Sequence, residues 1–265
     1  MEKDSKIIRN YGYIGTQEDS NKRFYITKNQ WVSGYAVGIM LLDVHYPLLP
    51  GNVVNATTYN YPVRHAWVPG ANQARMHSGD DTLLPALIET AKQLELEGCR
   101  AICGACGYFG HFQRRVAEAM DIPVYLSSVV QVPWIRTGLK KGQKIGVLCA
   151  DGKNLTPELF YECNASKEDF DACVVKSAGH LPEFSALMER RGHFDNEILR
   201  NELIGLAKEI VEENDDVGAI LLECSDMPPY AADIQRAVNL PVFDFITMIN
   251  YVHQSVAQRP YYGFM

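Results

Sequence analysis

The sequence predicts an α/β protein built as two similar doubly wound parallel-sheet domains, related by a pseudo-twofold axis, with an active site between them. Three observations predict it. Short runs of branched apolar residues recur along the chain, and stretches at helical spacing separate many of them. The pattern of the first half then returns, in the same order, in the second. Strands alternating with helices imply βαβ units and a mainly parallel sheet covered on both faces.

Residues 1–34 are polar and aromatic without clear periodicity and read as an N-terminal arm. Strands are expected at 36–43, 99–106, 122–127, 144–151, 171–178, 218–224 and 241–245. Helical spacing runs through 82–97, on Leu83, Leu87, Ala91 and Leu94, and through 196–212, on Leu199, Leu203, Leu206 and Ile210. The expected organisation is an arm at 1–34, a first domain at 35–138 and a second at 139–245. A last helix, within 246–265, packs back on the first domain.

The repeat is specific. Val37-Gly38-Ile39-Met40-Leu41-Leu42-Asp43 returns as Ile145-Gly146-Val147-Leu148-Cys149-Ala150-Asp151. Ala101-Ile102 leading to Cys106 returns as Ala219-Ile220 leading to Cys224. Pro123 then follows Cys106 at the distance, 17 residues, at which Pro241 follows Cys224.

Each of these two cysteines ends an expected strand and precedes a helix start, the edge where open parallel sheets bind ligands. Facing halves bring Cys106 and Cys224 to opposite sides of one cleft. The turns after them, Gly107-Tyr108-Phe109-Gly110 and Ser225-Asp226-Met227-Pro228-Pro229, offer backbone N–H groups, which attract carboxylates and favour a thiolate. Most free cysteines are small buried apolar residues, which suits Cys99, Cys149, Cys163 and Cys173. That reading does not explain why one cysteine recurs at the same place in both halves.

Composition narrows the function. Hydrophobic residues make up 47% and charged residues 22%, with a formal net charge of −7 and no Lys/Arg block. A nucleic-acid or anionic-membrane partner is not expected. No run of eighteen apolar residues occurs, so no transmembrane helix is expected. The charged start, Met1-Glu2-Lys3-Asp4-Ser5-Lys6, lacks the apolar core of a signal peptide. Together with seven cysteines in no secreted-type framework, it points to a soluble, reduced, cytoplasmic protein.

From Ala36 to the C-terminus the chain resembles the aspartate/glutamate racemase superfamily, which includes hydantoin racemases, maleate isomerase and arylmalonate decarboxylase. The resemblance rests on the strand ending in Ala105-Cys106, on Leu222-Glu223-Cys224-Ser225-Asp226 and on the paired halves. It implies a cofactor-independent racemase or epimerase, an isomerase class, acting on an amino acid or a related α-substituted carboxylate. One cysteine takes the α-proton as thiolate while the other protonates the opposite face. It implies Asp226 as the acid/base support of Cys224, and Asp43 as that of Cys106. Asn52, Gly107, Tyr108, Ser127, Ser128 and Ser225 are the expected substrate-binding residues. Many relatives place Asn-Thr after the first cysteine, where this chain has Gly107-Tyr108, which suggests a more aromatic pocket. A same-fold decarboxylase, isomerase or lyase is the alternative, and a non-catalytic binder of small ligands is the third reading. A homodimer is the ordinary expectation for such enzymes.

Other constellations carry less. Cys99, Cys103 and Cys106 match a radical-SAM iron–sulfur spacing, but a strand through Arg100-Ala101-Ile102 sends its side chains to opposite faces. Cys103-Gly104-Ala105-Cys106 is also a CxxC, which predicts nothing about Cys224. Zinc lacks a second Cys/His pair at ligand spacing, so no metal is expected. His111 reads as a solvated or capping residue and His253 as a packing or surface residue. Tyr59, Tyr61 and Trp67 suit core or interface positions better than a cleft.

Overall fold

The computed structural model describes residues 7, 9, 11–13 and 23–265, so most of the expected arm lies outside the described residues. Eight strands are present among them: β1 (Val37–Asp43), β2 (Val63–Asn72), β3 (Ala101–Gly104), β4 (Val124–Tyr125), β5 (Lys144–Cys149), β6 (Cys173–Ser177), β7 (Val217–Leu222) and β8 (Val242–Phe243). They form two four-stranded sheets, ordered β2-β1-β3-β4 and β6-β5-β7-β8. Every pairing is parallel.

The repeated sequence blocks occupy equivalent places. Val37 pairs with Ala101 in the first sheet, and Ile145 with Ala219 in the second. The central strands are buried on both faces, as in β7, where all six residues are buried. This is why they read as continuous apolar runs rather than alternating ones. The glycine shared by both blocks has a packing role. A Cβ on Gly38 would press on Leu94 and Cys99, and one on Gly146 would press on Ile210 and Ile220. The bare backbone lets a helix lie directly on each central strand.

Those helices are Leu84–Leu96, preceded by a tight turn at Asp81–Leu83, and Asn196–Glu213. Asp80 and Asp195 cap the two starts by accepting backbone N–H groups. The last helix, Phe245–Val256, starts at a capping box between Asp244 and Thr247. Its Phe245, Met248, Ile249 and Val252 pack with Val37, Ile39, Ala101 and Cys103 of the first sheet.

The sequence pattern misses β2. Residues 63–72 include Arg64, His65, Pro69, Gly70 and Asn72, and β2 is an edge strand paired only with β1. An edge strand keeps one side in solvent, tolerates proline and carries no apolar run. The expected strands 99–106, 122–127 and 241–245 shorten to four, two and two paired residues, because the chain turns toward the next helix at the sheet edge. No helix among the described residues is long and apolar enough to cross a membrane.

Candidate active site

Cys106 lies two residues past the end of β3, and Cys224 two residues past the end of β7. Both thiols face one cavity, which opens to solvent between the two sheets and holds roughly 530 Å³ of atom-free space, its mouth included. Its lining also includes Tyr46, Gln73, His77, Gly107, Tyr108, Glu223, Ser225 and Asp226. The two cysteine loops pack on one another, since Ser225 Oγ donates to the Ala105 carbonyl at 2.8 Å. Tyr108 crosses to the other half, where its hydroxyl meets the Asp151 backbone N and O at 2.7 Å each.

Cys224 has an acid at hand. Its Sγ donates to Asp226 Oδ2 at 3.6 Å. The same carboxylate accepts from the Tyr46 hydroxyl at 2.8 Å and from the Asn52 side-chain amide. Asn52 therefore acts behind Asp226, outside the main cavity lining. Burial raises the Asp226 pKa, while Tyr46, Asn52 and Cys224 hold it down by hydrogen bonding to the anion. Burial also drives the Cys224 thiol well above its ordinary range, and Asp226 and Glu223 add to the rise. Cys106 is raised by burial and then by Glu223, with the backbone N–H groups of Tyr108 and Phe109 opposing. Both sulfurs therefore rest as thiols, and a thiolate forms only where a proton acceptor and a neutralising charge are supplied.

Three expected site residues lie elsewhere. Leu42 of β1 lines the cavity, so strand alternation turns the next side chain, Asp43, away from it. Asp43 is half-exposed, contacts His45 Nε2 at 2.8 Å and receives Arg190 on its backbone carbonyl at 2.9 Å. Ser127 caps the turn Ser128–Gln131 by accepting the Val129 N–H. Ser128 donates to the carbonyls of Leu222 and Glu223 and so braces the end of β7. Both serines are fully buried, and neither lines the cavity.

Other residues enter that the sequence reading passed over. Glu223 is fully buried, and neither carboxylate oxygen has a partner. Burial, then the charge of Asp151, pushes its pKa up to about 8. The sequence signal was present, because a glutamate sits in an otherwise apolar strand end, Leu221-Leu222-Glu223-Cys224. Tyr46 comes from the loop after β1 and His77 from the short helix Gln73–His77; no local pattern marks either. The His77 ring packs on Tyr108, with centroids 4.0 Å apart. Burial pulls His77 down to about 4, with Asp151 opposing, so it is neutral near pH 7.

One side of the cavity belongs to residues 182–192. Leu187 and Met188 of the helix Phe184–Met188 line it. Arg190 reaches Asp43, and Met188 Sδ accepts from Gln73 Nε2 at 3.0 Å. The segment belongs to the second half and is fastened to the first. Of the other candidates, Tyr59 is buried, Tyr61 stacks on His253 at 3.4 Å and Trp67 is 56% exposed; none lines the cavity. Cys103 and Cys106 belong to different buried clusters, as their strand geometry requires.

The sequence pattern of the Asp/Glu/Hydantoin racemase family matches residues 56–249. The chain belongs to that family. Solved structures of similar fold include an allantoin racemase from Pseudomonas fluorescens (TM-score 0.58, 14% identity, 86% of this chain and 100% of that one). A glutamate racemase from Bacillus anthracis gives 0.57 at 12% identity, covering 85% of each chain. Unliganded arylmalonate decarboxylase gives 0.55 at 16% identity, covering 87% and 97%. Within this racemase-type fold, curated relatives of higher identity are lyases. Dimethylsulfoniopropionate lyase 6 of Emiliania huxleyi (strain CCMP1516) is 30% identical over 237 residues, 86% of this chain and 61% of that one. Lyase 7 of the same strain is 28% identical over 86% and 69%, and the lyase of Durusdinium sp. clade D 28% over 86% and 77%. The chain thus spans between 61% and 77% of the length of these relatives.

Proposed function

We propose that this protein is a cofactor-independent lyase that removes the proton α to a carboxylate with a cysteine thiolate and eliminates a cationic β-substituent. A small sulfonium carboxylate of the dimethylsulfoniopropionate type is the substrate. One observation carries the reading: the cavity places two thiols beside two buried carboxylates and two tyrosines, with no Lys or Arg among its described lining residues. A dicarboxylate amino acid would bring a second carboxylate against these acids with no lysine or arginine among the described lining residues to offset it. A cationic substituent instead finds the acidic groups and the aromatic side chains of Tyr46 and Tyr108. The relatedness to dimethylsulfoniopropionate lyases supports the same choice.

The chemistry follows from the geometry. A bound cation beside the thiols lowers the cost of a thiolate, and Asp226 is placed to accept the Cys224 proton. The thiolate takes the α-proton, the carbanion electrons form the α,β double bond, and the β C–S bond breaks with its pair leaving on sulfur. A neutral sulfide and an unsaturated carboxylate result, and the proton stays on the thiol. Backbone N–H groups of the turns after Cys106 and Cys224 suit the carboxylate on which charge develops.

The presence of a second thiol at the equivalent place favours one other reading, racemisation by proton transfer to the opposite face. Headspace chromatography for dimethyl sulfide after incubation with dimethylsulfoniopropionate tests the lyase. Release is expected, with loss in Cys106→Ser and Cys224→Ser. Absence of sulfide, with α-hydrogen exchange of amino acids or hydantoins in deuterium oxide, transfers the site to racemisation.

A further inference from the structure

Each thiol of the site has one buried carboxylate near it, and for Cys106 it is not the one the resemblance implies. Asp226 serves Cys224 from its own loop. Asp43, the expected partner of Cys106, points away, and the place beneath Cys106 is taken by Glu223 from the other half. The equivalent position in the first half is Ala105, so the acid breaks the pseudo-symmetry. Its carboxylate presses on the Cα of Gly107, one residue past Cys106, where a Cβ would overlap it. Both oxygens lack a partner, which a polar group in the protein interior ordinarily has. No described residue hydrogen-bonds to this carboxylate.

The titratable groups within range of its charge are Cys106 and Tyr108 from the first half, Cys149 at the end of β5 and Asp151 just past it, Cys163, and Cys224 beside it. All are acids or thiols, and none is a cation. Asp151 alone among them leads outward: its side chain is 31% exposed and lies 3.8 Å from His77 Nδ1.

We propose that Glu223 is the proton carrier of Cys106, exchanging the thiol proton with solvent by way of Asp151. At rest Cys106 and Glu223 both hold protons. The Glu223 O–H bond breaks as its proton passes through water to the Asp151 carboxylate, with which it makes no direct hydrogen bond, and on to solvent. The Glu223 carboxylate then takes the Cys106 proton through one bridging water, since neither of its oxygens is in direct hydrogen-bond contact with the thiol; the S–H bond breaks and its electron pair stays on sulfur. The thiolate now faces a neutral acid rather than a second anion, which is what a dry site requires. When that thiolate removes a substrate proton, the S–H bond is restored; one proton enters from carbon and one leaves to water, and nothing is oxidised or reduced. In turnover this rests on the proposed thiol chemistry, whereas the exchange itself needs no substrate.

The test is infrared spectroscopy of the full chain after rapid mixing into deuterium oxide. The S–H stretch of Cys106 is identified by its loss in Cys106→Ser, and its conversion to S–D is timed. In Glu223→Gln, which has nearly the same shape but carries no acidic proton, exchange at Cys106 is expected to slow by roughly tenfold or more. Glu223→Asp keeps an acid and is expected to retain fast exchange, which guards against a mere folding defect. Formate added to Glu223→Gln is expected to restore part of the rate. Equal exchange in wild type and Glu223→Gln overturns the proposal, as does equal slowing in Glu223→Asp and Glu223→Gln. A protein that shows the expected exchange but no turnover of any carboxylate overturns the lyase reading and leaves the carrier standing.

Discussion

Gly107 and Glu223 fit against each other across the boundary between the halves: the glycine follows the first cysteine, the glutamate precedes the second, and a Cβ on Gly107 would occupy the glutamate carboxylate. The Gly-Tyr after Cys106, where many relatives carry Asn-Thr, is thus the complement of an acid 116 positions away. Gly107→Ala is expected to cost about 1–3 kcal/mol of stability by overpacking. In a Glu223→Ala background the same substitution costs much less. Thermal unfolding of the four proteins measures the coupling, and equal costs in both backgrounds contradict the contact.

Asp226 is held by Tyr46 from the first half and touches Cys224 in the second. Removing its ability to take a proton with Asp226→Asn is expected to lower kcat by about 10²–10⁴-fold. Tyr46→Phe removes only one hydrogen bond, and a loss of about tenfold is expected. Initial rates alongside circular dichroism separate these effects from unfolding.

Glu223 makes stability depend on pH. Its folded-state pKa, about 8, lies above the ordinary value of 4.5, so between these pH values the folded protein holds a proton that the unfolded chain has lost. The stability this supplies is complete below 4.5 and lost as pH rises through about 8. Glu223→Gln is therefore expected to stabilise the protein relative to wild type at pH 9, by about 5 kcal/mol at most and visible as a higher Tm, and to change little at pH 4.5. A difference independent of pH would contradict this.

His77 acts at the acid end. Burial places it at about 4 against an ordinary 6.5, so the unfolded chain binds its proton first as pH falls. Stability from the neutral ring is present above 6.5 and lost as pH falls toward 4, by up to about 3 kcal/mol. In His77→Gln this part of the acid loss disappears, as urea unfolding at pH 7 and pH 4.5 reads out.

Arg190 ties the segment that carries Leu187 and Met188 to Asp43. Arg190→Ala is expected to raise KM about three- to tenfold with kcat little changed, because the tie holds a wall of the cavity and touches no reacting atom. Asp43→Ala removes the looser side-chain contact, at 3.9 Å, and keeps the backbone carbonyl, so a smaller effect is expected.

Much of this was legible in residue order. The central strands β1, β3, β5 and β7 are buried on both faces, so their sequences had to be continuous apolar runs. Packing a helix on each also fixed the repeated Gly38 and Gly146. β2 was not legible, because an edge strand with Pro69 carries neither an apolar run nor clean alternation. Ser127 and Ser128 looked like ligand groups from their place at a strand end, yet each bonds to backbone nearby or across the halves. Asp43 failed for a similar reason: a shift of one residue in a strand exchanges the two faces, and only the folded strand shows which is which.

The sequence by itself determined the duplicated α/β plan and the recurrence of Cys106 and Cys224 at one strand edge. Both follow from local periodicity and internal repetition, which need no knowledge of contacts. Only the tertiary structure decided what surrounds the thiols: Asp226 tied by Tyr46 and Asn52, Glu223 fitted under Gly107, and His77 packed on Tyr108. Those pairs are brought together by closure of one half on the other, and the burial that sets their proton affinities exists only once that closure has excluded water.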